Sequence, residues 1–337
     1  MKLKELLKEP YFLVHDLIFQ KYNSYLSKNV ELKNRYNNER CFVLLTGEPV
    51  SYYNLGLLEN EFVATCGMFF LHDELLSIKP NFNFNLGLGP TIDNIKFNEY
   101  EKIFRWPEKY LPSNSVYDCS IIIKALFDKT KTLDDIKYFF NFDSIKYFEK
   151  ENLFSISNPN VFYIKQMNKF DLTTRTTLDL LNRIRGAGNS FINSILCLIY
   201  MGFKEIYILG AGYTYRPNFI FHFYSTFVSQ INLGKKLAMT SGQQFVDEYN
   251  KVYNQNIKFN GLKIIGEQYR GIYIKERSLD YYENSNYNKL DQFARNIGVK
   301  LYNIVPNGFD SPVFETKTWN QISLENPIAQ KNNFSEE

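Results

Sequence analysis

The sequence predicts an α/β protein built on a Rossmann-like, mostly parallel sheet flanked by helices. Two observations carry that prediction. Short apolar runs of strand length alternate along the chain with longer helix-like segments, the order that a parallel sheet with crossover connections requires. Five of those runs also stop abruptly at glycine or small polar residues: "TGEP" after Leu45, "GM" after Cys66, "GLG" after Leu86, "GAG" after Leu209 and "PNG" after Val305. Ligands of parallel α/β sheets bind outside the carboxyl ends of the strands, so these turns are where a site is expected.

Residues 1–38 read as an N-terminal helical segment. Its opening, "MKLKELLKEPYFLVHDLIFQKYNSYL", mixes lysines with apolar and aromatic residues and is interrupted by Glu5, Glu9, Pro10 and Asp16. It has neither the cleavage site of a signal peptide nor the length of a bilayer span. It is expected to pack on the domain, and contact with a membrane surface stays open. The main unit is expected over 39–325. "CFVLL" (Cys41–Leu45) and "FVATC" (Phe62–Cys66) are continuous apolar runs, as strands buried on both faces should be. "NFNFNLGLG" (Asn81–Gly89) alternates before breaking on glycine, and "CSIIIKAL" (Cys119–Leu126) and "NVFYI" (Asn160–Ile164) are further strand candidates.

"NSFINSILCLIYM" (Asn189–Met201) reads as a buried helix, capped by Asn189 or Ser190 and stopped at Gly202. The strand "EIYIL" and the Gly-Ala-Gly turn follow. "NKLDQFARNIGVKLYNIVPNG" later repeats the theme of helix, glycine, strand and turn. Between them, 216–285 is polar and rich in Tyr and Asn, with one strand-like run, "LKIIG". Such an insertion after a strand end reads as a lid or acceptor-binding segment, or as a local helical subdomain. Residues 326–337 read as a frayed tail.

With 337 residues, 45% of them hydrophobic, the chain has enough apolar surface for a sizeable core. A net charge of +3, with no block of like charge, argues against a nucleic-acid partner. The four cysteines lack C-x-x-C spacing and are expected as buried free thiols in a reducing, cytoplasmic setting rather than as zinc ligands.

Five glycine or small-polar turns after strands point to a nucleotide-type ligand, because glycine lets a backbone approach a phosphate. There is no G-x-x-x-x-G-K-[ST], no G-x-G-x-x-G and no Asp-x-Asp triplet, and "DD" at Asp134–Asp135 reads as a solvated helix face. A metal-dependent sugar-nucleotide enzyme would need a carboxylate pair, so the expectation is a site with no metal and no separate cofactor. Tyrosine hydroxyls offer another way to meet a phosphate charge. Tyr213 and Tyr215, just past the strand end, are the candidates, whereas Tyr207 within the strand belongs to the core. Of the three histidines, His222 suits a general base toward an acceptor hydroxyl, or packs between Phe221 and Phe223. His72 is expected to cap or pack a helix start, and His15 to be structural.

"GNSFINSILCLIYMGFKEIYILGAGYTY" resembles the central helix, strand and turn of the bacterial lipooligosaccharide sialyltransferases. It is also similar to related flagellar motility accessory factors and archaeal-type hydroxymethylpterin pyrophosphokinases. "CFVLLTGEPVS", "VATCGMFFLHDEL" and "FARNIGVKLYNIVPNG" look like that family's first, second and late strands with their turns. The resemblance covers about a third of the chain. It implies a metal-independent glycosyltransferase of surface-polysaccharide or lipooligosaccharide assembly, with a nucleotide-activated sugar as donor, for instance a CMP-nonulosonic acid. A glycan or lipid-linked glycan would be the acceptor, reached in the cytoplasm or peripherally at the inner membrane. Thr46, Gly47, Glu48, Gly67, Asn85, Ser190, Gly210 and Gly212 would hold the nucleotide, Tyr213 and Tyr215 the leaving phosphate, and His222 would be the base. Gly67 stands where the family commonly has Asn, Gly212 where it has Asp, and "YYENSNYNKL" lacks the sialyltransferases' histidine. A pyrophosphokinase-like transfer from ATP, a non-catalytic nucleotide-binding role and a homo-oligomeric state remain open.

Overall fold

The computed structural model describes residues 17, 19–47, 50, 53–72, 74–86, 126–127, 130–133, 135–145, 148–149, 158–167, 178–186, 189–211, 286–305 and 314–322. Their centre is one eight-stranded sheet: β1 (Arg40–Leu44), β2 (Phe62–Cys66), β3 (Phe82–Asn85), β4 (Lys137–Asn141), β5 (Val161–Ile164), β6 (Glu205–Leu209), β7 (Lys300–Val305) and β8 (Glu315–Thr318). The spatial order is β5-β4-β3-β2-β1-β6-β7-β8 and every pairing is parallel. The described helices are α1 (Ser24–Ser27), α2 (Leu75–Ile78), α3 (Ser190–Tyr200) and α4 (Asn286–Asn296). The fold is thus α/β and Rossmann-like, as expected.

A parallel sheet needs cover on both faces, and the strands alternate between two cores accordingly. Phe42, Leu44, Tyr207, Leu209, Tyr302 and Ile304 face one core together with residues of α2 and of the 3-10 turn Leu55–Leu58. Cys41, Val43, Ile206, Ile208 and Leu301 face the other, under α3 and α4. On the first face Phe42, Tyr207 and Tyr302 lie in register across three strands and stack with centroids 5.0 Å apart at both steps. Each such pair contributes about 0.5–1.5 kcal/mol beyond the area it buries. Tyr207 is therefore a core residue, and burial raises its phenol pKa.

From β1 the chain steps outward through β2, β3, β4 and β5, then returns through α3 on the opposite face to lay β6 on the other side of β1. Reversal of direction coupled to a change of face is what right-handed crossovers produce. It leaves the point where strand order reverses between β1 and β6.

Several expectations are refined. The N-terminal segment is a series of short turns, Gln20–Tyr22, α1 and Lys28–Leu32, rather than one helix over its described part. It covers the β5 edge of the sheet. Asn29 Nδ2 donates to the carbonyls of Tyr163 and Leu180, both at 2.9 Å, and Lys28 Nζ donates to those of Asn158 and Val161 at 3.2 and 3.1 Å. Covering an edge strand in this way removes a template for pairing with other chains. Strands β4 and β8 were not anticipated. Of the expected strand Cys119–Leu126 only Leu126 is described, and it lies in a helical turn. Asp135 also lies in a turn rather than on a helix, and Asp134 is outside the described residues. Cys41, Cys66 and Cys197 are buried and free. Among the described residues no helix is long and apolar enough to cross a membrane. Residues 216–285 and 326–337 lie outside the described residues, as do Cys119 and His15.

Candidate site at the carboxyl edge of the sheet

The turns that leave β1 and β6 meet at the strand-order reversal. Leu45 N–H donates to Leu209 O at 2.8 Å, and Gly47 N–H donates to Gly210 O at 3.0 Å, so the two turns are bonded to each other. Gly210 has φ +76°, and a Cβ placed there would lie 2.8 Å from Leu45 O and 3.1 Å from Gly47 O. Both the left-handed backbone and the close approach demand glycine. Gly47 thus uses its N–H within the site and its carbonyl to accept from Val50 N at 3.2 Å. Its contribution is to let the turns converge, not to offer that N–H to a phosphate. Thr46 is half-buried beside it, and Gly210 and Ala211 are buried.

Gly67 begins the turn after β2 at φ +56°, with nothing within 4 Å of where its Cβ would stand. It faces open space at the same edge. Asn85, the last residue of β3, is only 2% exposed, in a buried polar row with Thr65 and Asn83. Asn85 Nδ2 donates to Asn83 Oδ1, Asn83 Nδ2 donates to Thr65 Oγ1 at 2.8 Å, and Thr65 Oγ1 donates to Phe82 O at 3.3 Å.

On the opposite face α3 brings its N-terminus to this edge, because the helix runs antiparallel to the strand that follows it. Asn189, not Ser190, is the cap: its Oδ1 accepts from Ile192 N at 3.1 Å, while its Nδ2 donates to the Tyr287 hydroxyl at 2.9 Å. Ser190 is the first helical residue, and its carbonyl accepts from Ser194 Oγ at 2.7 Å. Cys66 Sγ at the end of β2 donates to Ser194 Oγ at 3.5 Å. Asn193 is fully buried, with Nδ2 donating to Gln166 Oε1, and Gln166 Nε2 in turn donates to Leu86 O at 2.6 Å. These bonds tie the first turn of α3 to the ends of β2, β3 and β5. Gly186 makes room for them, since a Cβ there would fall 1.6 Å from Asn193 Oδ1.

Six of the expected site residues (Thr46, Gly47, Gly67, Asn85, Ser190 and Gly210) are therefore brought to one edge of the sheet. Glu48, Gly212, Tyr213, Tyr215 and His222 lie outside the described residues. Thr65, Asn83, Gln166, Asn193 and Tyr287 join the edge without having been singled out. His72 is fully buried, stacks on Phe69 at 5.0 Å, and its Nδ1 accepts from Glu74 N at 3.2 Å just before α2. Of the two roles expected of it the structure shows packing at the helix start; the cap of α2 is Glu74. Burial pushes the Cys66 thiol up to about 12, against a weaker lowering effect of its bond to Ser194. The thiol is protonated at neutral pH and is no nucleophile. Among the described residues no three His, Cys, Asp or Glu side chains are grouped to hold a metal ion. A half-open cavity of about 390 Å³ lies at the opposite, amino edge of β3 and β4, lined by Lys79, Asn81, Thr132 and Asp135. It is remote from all of these turns.

Compared with known proteins, the chain matches no family model, no curated protein and no solved structure.

Proposed function

We propose that the chain binds a nucleotide-activated sugar at the carboxyl ends of β1 and β6 and transfers the sugar to a glycan or lipid-linked glycan without a metal ion. The observation that carries this reading is the pair of turns, Thr46–Gly47 and the glycine-dependent Gly210–Ala211, bonded to each other where strand order reverses. Open parallel sheets bind ligands at that position. The N-terminus of α3 at the same edge adds a partial positive charge that suits a phosphate. Tyr213 and Tyr215 follow Ala211 by two and four positions in the chain, which supports their assignment to the leaving phosphate. The leaving group is a nucleoside phosphate, so hydrogen bonds from tyrosine hydroxyls would stabilise the charge that develops as the glycosidic bond breaks. His222 would take the proton of the attacking acceptor hydroxyl. The donor proposed is a CMP-linked nonulosonic acid, following the resemblance of the central motif.

The test is CMP release from such a donor by the purified chain in EDTA, with and without a glycan acceptor. Release in EDTA that falls at least tenfold in a Tyr213→Phe/Tyr215→Phe variant supports the proposal. Turnover of ATP only with Mg²⁺ would replace it with pyrophosphoryl transfer. Nucleotide binding without any turnover would leave a non-catalytic relative of the scaffold.

A further inference from the structure

The face of β2 and β3 that carries Val63 is apolar except for Thr65, Asn83 and Asn85, which are 0%, 0% and 2% exposed. Thr65 and Asn83 are direct cross-strand partners, and the alternation of "NFNF" sets Asn83 and Asn85 on the same face. Three polar side chains in so apolar a layer persist only if they satisfy one another. They do so with a fixed polarity. A backbone carbonyl can only accept, so Phe82 O takes the proton of the Thr65 hydroxyl. Thr65 Oγ1 is then the acceptor for Asn83 Nδ2, which turns Asn83 Oδ1 toward Asn85 and requires Asn85 to answer with its Nδ2. The carbonyl at Phe82 thereby dictates the orientation of an amide three residues further along the strand, at the carboxyl edge.

Resting on the reading of this edge as a nucleotide site, we propose that Thr65 and Asn83 are positioning residues that prevent the Asn85 amide from flipping. Asn85 then presents Oδ1, an acceptor, to the ligand. An unconstrained asparagine can exchange its oxygen and nitrogen and accommodate either polarity of partner. A fixed one selects a ligand that places an N–H donor opposite Oδ1. The exocyclic amine of a cytosine is such a donor, whereas uracil carries a carbonyl at that position. The relay makes the edge a discriminator between the two bases through two residues that need not touch the ligand.

The experiment is calorimetric titration of the full chain with CMP and with UMP, in EDTA. The wild type is expected to bind CMP at least tenfold more tightly than UMP, the scale of one well-placed hydrogen bond against an unpaired polar group. Thr65→Val removes the hydroxyl while keeping the shape, and is expected to bring the two affinities within about threefold by releasing the amide. Thr65→Ser, which restores the hydroxyl, should recover the preference, a rescue that a purely structural role would not show. Thr65→Ala reads the same link should the valine variant fail to fold. Equal affinities in the wild type, or a preference unchanged in a folded Thr65→Val, would overturn the relay while leaving nucleotide binding intact. Binding of neither nucleotide by the wild type would overturn both the relay and the functional reading.

Discussion

At the scale of single residues, two glycines with left-handed backbone at one sheet edge should respond differently to the same change. Gly210 has Leu45 O and Gly47 O at 2.8 and 3.1 Å from where a Cβ would stand, both of them backbone atoms of the facing turn. Gly210→Ala must push the β1 and β6 turns apart, and a loss of roughly 2 kcal/mol is expected from strain and steric displacement together. Gly67 is equally left-handed but faces open space, so Gly67→Ala should cost only about 1 kcal/mol, the price of the backbone conformation. Urea denaturation of the two variants checks the contrast. Equal losses would mean that the contact between the turns contributes nothing. Gly186 offers a third case, because an alanine there would displace the Asn193 amide and break its bond to Gln166.

At the scale of elements, α3 is a nearly all-round buried helix whose start is held by one side chain. Asn189→Ala removes the bond to Ile192 N and should cost about 1 kcal/mol. It also removes the bond from Asn189 Nδ2 to the Tyr287 hydroxyl of α4, 98 positions away in the chain. Thermal melts of Asn189→Ala beside Ser190→Ala test this, the serine variant being expected to lose less. The helix, its cap and the strand β6 were legible in "NSFINSILCLIYM" and "EIYIL" because apolar runs bounded by a capping residue and a glycine declare themselves locally. Strand β8, "ETKT", carries no such signal. It is an edge strand, its residues are exposed or half-buried, and Lys317 lies over the Tyr302 ring at 3.5 Å instead of presenting an apolar side chain. Strand β4, "KYFFN", is short and begins on Lys137, whose ammonium pKa burial lowers, so its apolar core of three residues gives little pattern to read. The glycine turns of the candidate site were legible for the same local reason. The Thr65–Asn83–Asn85 row was not, because it depends on the register between β2 and β3, which no local spacing encodes.

At the scale of the whole molecule, the sheet is closed on both faces by apolar cores, and several thiols and phenols sit inside them in their protonated form. Burial holds the Cys66 thiol at about 12 and raises the pKa of Cys41, Cys197, Tyr163 and Tyr207 as well. The unfolded chain releases the Cys66 proton near the ordinary value of 9.0, whereas the folded chain keeps it to about 12. Between those values the folded state binds more protons, so stability falls as pH rises. Each thiol that ionises only on unfolding removes about 1.4 kcal/mol per pH unit in that window. Denaturation at pH 7.5 and pH 10 should therefore show a clear alkaline loss, and Cys66→Ala should make the loss smaller. An unchanged midpoint at pH 10 would contradict the burial of these groups.

The same architecture makes the carboxyl ends of β1 and β6 the organising feature of the molecule, since strand order, the change of connecting face and the two glycine-containing turns all converge there. Calorimetric titration with CMP in EDTA, comparing the wild type with Gly210→Ala under conditions where both are folded, tests that claim most directly. The expected result is saturable binding by the wild type, weakened at least tenfold in the variant, because turns forced apart no longer shape one site. Binding of equal strength by both proteins, or no binding by the wild type, would contradict it.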